Sequence, residues 1–428
     1  MKRNDPQDTE LSAVGTRTAG DPAGAPGGSP AMQAHATGFS RLPPLALYVH
    51  LPWCLRKCPY CDFNSHTAGA APPRARYVAA LVADLRREAA FADGRPIDSV
   101  FLGGGTPSLF AASEIGEVLA AVAASCRLGA GAEITMEANP GALECDRLAD
   151  YRAAGVNRLS LGAQSFDANM LLRLGRVHGP GEIFAAFDEA LRAGFSRINL
   201  DLMYALPGQT AGMAVADIEQ AVQLSPPHIS WYQLALEPNT VFHARPPADL
   251  PDDDVCEAIE RECLSRLAAA GYERYETSAF ARPGQRCRHN LNYWQFGDYL
   301  AIGAGAHGKL TAGDGTVWRY RKPQNPRAYM EAIEAGGEAE RTRLAPADVA
   351  FEYMLNVLRL PDGFAEDDFR LRTGLPFAVL AEPMARARVC GLIEPCGPGR
   401  WRPSELGRRF QNDLQGLFLP RRQLAASG

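Results

Sequence analysis

No run of about eighteen apolar residues occurs anywhere in the 428 positions, so no membrane-spanning helix is available. No apolar N-terminal core leads into a cleavage site either, which leaves no sign of export and makes a cytoplasmic location the expectation. Lysine and arginine never gather into a block, and the formal net charge is -5, so there is no electrostatic footprint for nucleic acid. Disulfide spacing is missing as well: Cys126, Cys145, Cys256, Cys263, Cys287, Cys390 and Cys396 are scattered, as expected of a reduced compartment. What remains is a chain with 46% hydrophobic residues, long enough to bury a full core, whose partner is a small molecule or another protein.

Residues 1–40 are rich in Ala, Gly, Pro and Ser and bury too little apolar surface to offset chain entropy, so a disordered tail is expected there. From Leu45 short apolar strands alternate with helix-like segments. The strand candidates are residues 45–51, 99–104, 133–138, 158–163, 197–206 and 228–236. Such alternation implies parallel pairing and right-handed crossovers. Six units fall short of the eight of a closed barrel, which predicts an open three-quarter (β/α)6 barrel, with its extension over 41–310. Residues 311–428 read as a helical, winged-helix-like domain. It lacks a concentrated basic face, which favours a structural or docking role over DNA binding.

The unusual residues collect where such barrels keep their chemistry, after the C-terminal ends of the strands. "HLPWCLRKCPYCDFNSH" (50–66) carries Cys54, Cys58 and Cys61, and "GGGTP" follows the second strand. "EANP" ends the third, "GAQS" the fourth, Asp201 lies in the fifth, and Gln233, Ala235 and Glu237 end the sixth. Thiolates select zinc or iron–sulfur clusters. A structural zinc would want a fourth ligand, for which His66 is available. Three cysteines alone suit a [4Fe-4S] cluster whose fourth iron stays open. The glycines of "GGGTP" let backbone approach a ligand. The buried polar residues Glu137, Gln164, Arg176 and Asp201 need partners, either a salt-bridge layer at the rim or a ligand.

C-x3-C-x-Tyr-C resembles the signature of the radical S-adenosylmethionine (SAM) superfamily, with Tyr60 as its aromatic. "MEANP", "LGAQSF", "LGRVH" and "NLDLMYALPGQT" look like the SAM-contacting segments of the oxygen-independent coproporphyrinogen III oxidase family. The resemblance implies a radical SAM partial barrel, a [4Fe-4S] cluster on Cys54, Cys58 and Cys61, and SAM contacts from Tyr48, Tyr60, Gly104, Gly105, Thr106, Glu137, Gln164, Arg176, Asp201 and Ala235. It also implies a low-potential electron donor. Two departures separate this chain from the oxidase itself. Phe63 stands where the oxidase has a further cysteine, and the low-complexity tail replaces its Tyr-rich arm.

"RHNLNYWQFGDYLAIGAGAHG" (288–308) is instead similar to the signature of the family's haem-chaperone branch. It implies haem on His289, Asn290, Tyr293 and Trp294, with Cys287 and His307 as lesser candidates for the iron. The plain alternative for His289 is a satisfied core histidine. The branch further implies transfer of haem to an acceptor protein such as one of the respiratory chain, an acceptor at the membrane, and a homodimer. Porphyrinogen oxidation and a radical methyl transfer are the competing activities.

Overall fold

The computed structural model describes residues 41–141 and 147–420; the tail expected over 1–40, and Cys145, lie outside them. The described residues fall in one compact unit.

The main sheet is built from near-continuous apolar runs buried on both faces, the pattern of parallel strands covered by helices. Strand β1 (Leu45–Leu51) is followed by a two-residue ribbon, β2 (Trp53–Cys54) and β3 (His66–Thr67), then by β4 (Ile97–Gly104), β5 (Leu128–Ala138), β6 (Arg158–Gln164), β7 (Ile198–Tyr204) and β8 (His228–Gln233). Between them run α1 (Arg74–Glu88), α2 (Ala112–Ser125), α3 (Leu148–Ala153), α4 (Ala168–Arg173), α5 (Pro180–Arg192) and α6 (Ala211–Leu224). Neighbouring strands from β1 through β8 pair in parallel in chain order, the six units expected. Helix α1 shows why the helices pack: its buried positions Tyr77, Val78, Leu81, Asp84, Leu85 and Glu88 recur at three- and four-residue intervals.

The sheet then gains strands that the alternation did not forecast. After α7 (Val241–Ala244) and α8 (Asp253–Ala269), β9 (Glu273–Glu276) and β10 (Ala279–Ala281) extend the β8 edge antiparallel. Helix α9 (Arg288–Trp294) leads into β11 (Asp298–Ile302), a seventh parallel strand inserted beside β1. Strands β12 (His307–Thr311), β13 (Val317–Arg321) and β14 (Glu340–Arg343) continue that edge antiparallel, with α10 (Pro326–Glu334) between the last two. The order runs from β14 to β9 without the ends pairing, so the sheet is open. Since β13 and β14 come from beyond residue 310, the expected boundary falls inside this sheet.

Two buried ionic knots pin the added strands. Asp298, at the start of β11, accepts from Lys309 (2.8 Å), Arg95 (2.7 Å) and Thr311 Oγ1 (2.9 Å). Lys322 bridges Asp84 (2.6 Å) and Glu88 (2.7 Å) of α1. A second core gathers Phe296 and Val317 with α11 (Pro346–Val357), α12 (Glu366–Thr373) and α13 (Ala381–Val389). A three-stranded sheet follows, in which β15 (Phe364–Ala365) and β16 (Ile393–Gly397) flank β17 (Arg400–Pro403). Helix α12 was not foreseen because Phe369 and Thr373 are its only buried residues. No helix among the described residues is long and apolar enough to cross a membrane.

Candidate functional site

The C-terminal ends of β1 and β4 through β8 surround a cavity of about 340 Å³. Cys54, Cys58 and Cys61 line it from the loop between β2 and β3, with Gly104, Gly105 and Thr106 beside them. Glu137, Gln164, Arg176, Asp201 and Ala235 complete the wall, and Tyr60 lies against Phe242 at its edge.

The cysteine loop is held from several sides. His66 N donates to Pro52 O (2.7 Å), Ala68 N to Cys54 O (2.8 Å), and Thr106 N to Trp53 O (2.8 Å). Asn64 Nδ2 donates to Ala304 O (2.9 Å) and Gln324 O (2.8 Å), tying the loop to the segments that follow β11 and β13. Gly104 has φ +112°, and a Cβ there would lie 2.5 Å from His50 Nδ1. At Gly105 a Cβ would come within 2.6 Å of Trp53 O. Both glycines are therefore required by close approach, at Gly104 also by conformation. Gln164 holds φ +67°, a strained state at the strand end, as is common at ligand sites.

Each sulfur has a polar neighbour: Thr106 Oγ1 donates to Cys54 Sγ (3.5 Å), Arg176 Nη1 donates to Cys58 Sγ (3.6 Å), and Ser65 Oγ is 3.7 Å from Cys61 Sγ. Burial raises the thiol pKa values of Cys54 and Cys61, so these thiols stay protonated until a cation displaces the proton. Among the described residues no three His, Cys, Asp or Glu side chains converge on a point suited to a single metal ion. His66 instead turns to Asn64 Oδ1 (3.2 Å), which removes the fourth ligand of the zinc alternative. Three thiols spread around a cavity, each with a hydrogen-bond neighbour, suit a cluster with volume of its own.

The remaining wall is acidic. Burial, and next the nearby Asp201, push Glu137 up to about 7; Gly104 N–H donates to its Oε2 (3.0 Å) and opposes the rise. Burial also raises Asp201, against hydrogen bonds from Ser160 (2.7 Å) and Asn199 (2.8 Å). Two like-charged carboxylates in a dry wall form a site for a cationic group. Asn139 donates to Thr106 Oγ1 (3.0 Å) and accepts from Arg176 (2.6 Å), locking the glycine turn to the guanidinium. It was not singled out in the sequence, although it is the residue within "EANP" that does this work. Tyr232 is another lining residue without a prior signal.

One expected cofactor contact is placed differently. Tyr48 does not line the cavity. Its hydroxyl meets His50 Nδ1 (2.9 Å) and its ring stacks on Phe101, one layer below the mouth. The α9 residues are not at the mouth either. His289 packs near the opposite end of β4, with Nδ1 3.1 Å from Ser99 Oγ and its ring stacked on Phe101 and edge-on to Tyr293. It is 2% exposed, burial lowers its pKa to about 3, and its Nε2 has no partner. Trp294 Nε1 is a second unpaired buried nitrogen, and Arg359 covers the indole at 4.3 Å. Cys287 Sγ donates to Glu133 (3.5 Å) in the core, and His307 is exposed on β12.

Comparison with known proteins agrees with this geometry. The Radical SAM superfamily matches residues 48–221. "Heme chaperone HemW" of Escherichia coli K12 is 47% identical over 381 residues, 89% of this chain and 99% of its own length. The protein of the same name from Haemophilus influenzae is 44% identical with the same coverage. Among solved structures, coproporphyrinogen III oxidase (HemN) from Escherichia coli superposes with a TM-score of 0.74 at 24% identity, covering 88% of this chain and 90% of that one. That likeness concerns the fold.

Proposed function

The chain belongs to the HemW family of radical SAM proteins, and on that premise we propose that it is a haem chaperone, carrying a [4Fe-4S] cluster with SAM at its mouth and handing haem to an acceptor protein. The observation that carries the cofactor part is the convergence of Cys54, Cys58 and Cys61 with a glycine turn and two buried carboxylates in one cavity. When bound, such a cluster supplies an open iron for the amino and carboxylate groups of SAM.

The protein's own contributions follow from position. Thr106, Arg176 and Ser65 direct hydrogen bonds at the three sulfurs, which stabilises thiolate charge. Gly104 and Gly105 present backbone without side chains, and Glu137 and Asp201 favour a positively charged ligand. Tyr60 and Phe242 shield the edge of the site from water.

For haem, His289 Nε2 is a buried ring nitrogen without a partner, flanked by the rings of Phe101 and Tyr293, as an axial ligand and a flat apolar surface require. Because His289 is sealed against β4, haem reaches it only when α9 moves away from the sheet. The acceptor, at the membrane or elsewhere, a low-potential electron donor and self-association belong to the same reading. Phe63 argues against porphyrinogen oxidation: it is exposed and lines the mouth at the position of the oxidase's additional cysteine.

The test is anaerobic reconstitution followed by haem titration and a coproporphyrinogen III assay on one sample. Haem binding without porphyrinogen conversion, weakened in His289→Ala, is expected. Conversion of the porphyrinogen would overturn the chaperone reading.

A further inference from the structure

A chain of buried polar groups runs from the mouth to the opposite end of the barrel, and every hydrogen bond in it points toward Asp201. Ionised Asp201 only accepts, so Asn199 must present its amide nitrogen: Nδ2 donates to Asp201 Oδ1 (2.8 Å) and to Ser160 Oγ (2.7 Å), and Ser160 donates to Asp201 Oδ2 (2.7 Å). Asn199 Oδ1 then faces His228 Nδ1 (2.6 Å), which must carry the proton, and it also accepts from Ser230 Oγ (3.1 Å). With Nδ1 protonated, Nε2 of the neutral ring is an acceptor, and it meets the hydroxyl of Tyr275 (2.8 Å). Tyr275 in turn accepts from Cys287 N–H (3.3 Å) and lines a second cavity beside α9. One choice at Asp201 fixes the amide orientation, the tautomer and the hydroxyl rotor in succession.

We propose that His228 is a positioning residue for the SAM site: through Asn199 it aims the Asp201 carboxylate into the mouth. The inference rests on the cofactor reading of that mouth. His228 is 1% exposed and touches neither the cavity nor any sulfur. Its ring is kept neutral by burial and by Arg158, so it serves as a fixed donor and does not itself titrate across the working range. The other charged or titratable groups facing Asp201 are Glu137, Arg176 and Tyr232; those near His228 are Arg158 and Tyr275. None of them supplies the donor to Asn199 Oδ1 that His228 does. Without that donor Asn199 Oδ1 keeps only the longer bond from Ser230 (3.1 Å), and the amide is held less firmly in the orientation that donates to the carboxylate.

The test is a double-mutant cycle on the reconstituted full-length protein, reading SAM affinity by calorimetry and iron per chain as a control. His228→Leu is expected to weaken SAM binding about tenfold, the loss of a buried hydrogen bond serving a charged group. His228→Asn, whose amide nitrogen reaches the position of Nδ1, is expected to bind within about threefold of the parent, a rescue that filling space alone would not give. In an Asp201→Asn background, His228→Leu should cause no further loss. If His228→Leu does not fold, Tyr275→Phe is used in the same cycle, with a smaller loss and the same non-additivity expected. Additive losses, or undiminished affinity in His228→Leu, would overturn the proposal. An Asp201→Asn variant that binds SAM as the parent does would also overturn it, whereas a reconstituted parent that binds no SAM would instead overturn the cofactor reading on which it stands.

Discussion

Replacing Gly104 by alanine tests the mouth at its tightest point. The backbone there has φ +112°, where a residue with a Cβ costs about 1–3 kcal/mol. The new methyl would also lie 2.5 Å from His50 Nδ1, so the imidazole must move. It is held at both nitrogens, by Tyr48 OH (2.9 Å) and by Asn64 O (2.9 Å), and displacing it forfeits one or both bonds at about 1–3 kcal/mol. Together these come to about 2–6 kcal/mol, a large part of a typical domain's stability. The assay is urea unfolding with iron content after reconstitution. Shrinking the obstacle separates the two contributions: His50→Ala combined with Gly104→Ala should recover the part due to collision and leave the part due to φ. Gly69, exposed and with nothing within 4 Å of a built Cβ, is the control, and Gly69→Ala should change stability by less than about 0.5 kcal/mol. Parental stability and iron binding in Gly104→Ala would refute the reasoning.

Cys54→Ser should lose the reconstituted cluster, read as iron per chain and brown absorbance; unchanged iron would count against the assignment. Lys322→Ala removes the cation shared by Asp84 and Glu88 of α1, leaving Tyr329 OH (2.9 Å) and Arg341 (2.8 Å) as their partners, and should cost about 3–5 kcal/mol in urea unfolding; a loss below about 1 kcal/mol would contradict the buried-knot account. Glu137, raised to about 7, contributes stability to the empty protein that is present below its unfolded value and lost as pH rises through about 7. Affinity for the sulfonium of SAM follows the opposite course. It should fall by up to about tenfold per unit as pH drops below 7, a slope that Glu137→Gln should abolish; a flat profile in the parent would be the contrary result.

The six parallel strands were legible because each is a short run apolar on both faces, a pattern that needs no knowledge of its partner. Strand β11 was not, because Asp298–Ile302 runs into a glycine-rich stretch and its place beside β1 depends on Asp298 finding Lys309 and Arg95. At the mouth, residue type and strand end together located the thiols, the glycine turn and both carboxylates. What strand ends do not convey is depth: Tyr48 sits a layer below, and the side of α9 that is buried was decided by Phe101 and Ser99 on β4. Asn139 was hidden because its importance lies in two hydrogen bonds to residues distant in the chain, Thr106 and Arg176.

The loop that carries the cysteines has a bearing on how the protein is made. All three thiols lie within the first 61 residues; His66, Ala68 and Thr106 fasten their loop locally, but other fastenings come from much later in the chain. Asn64 waits for Ala304 and Gln324, and His50, whose carbonyl accepts from Tyr77 OH, waits for Gly303 to close against it. Tyr77 itself is completed only by Ala304 N–H. A chain truncated before residue 303 would therefore carry every sulfur and the bonds from His66, Ala68 and Thr106, and still lack the closure at Asn64 and His50.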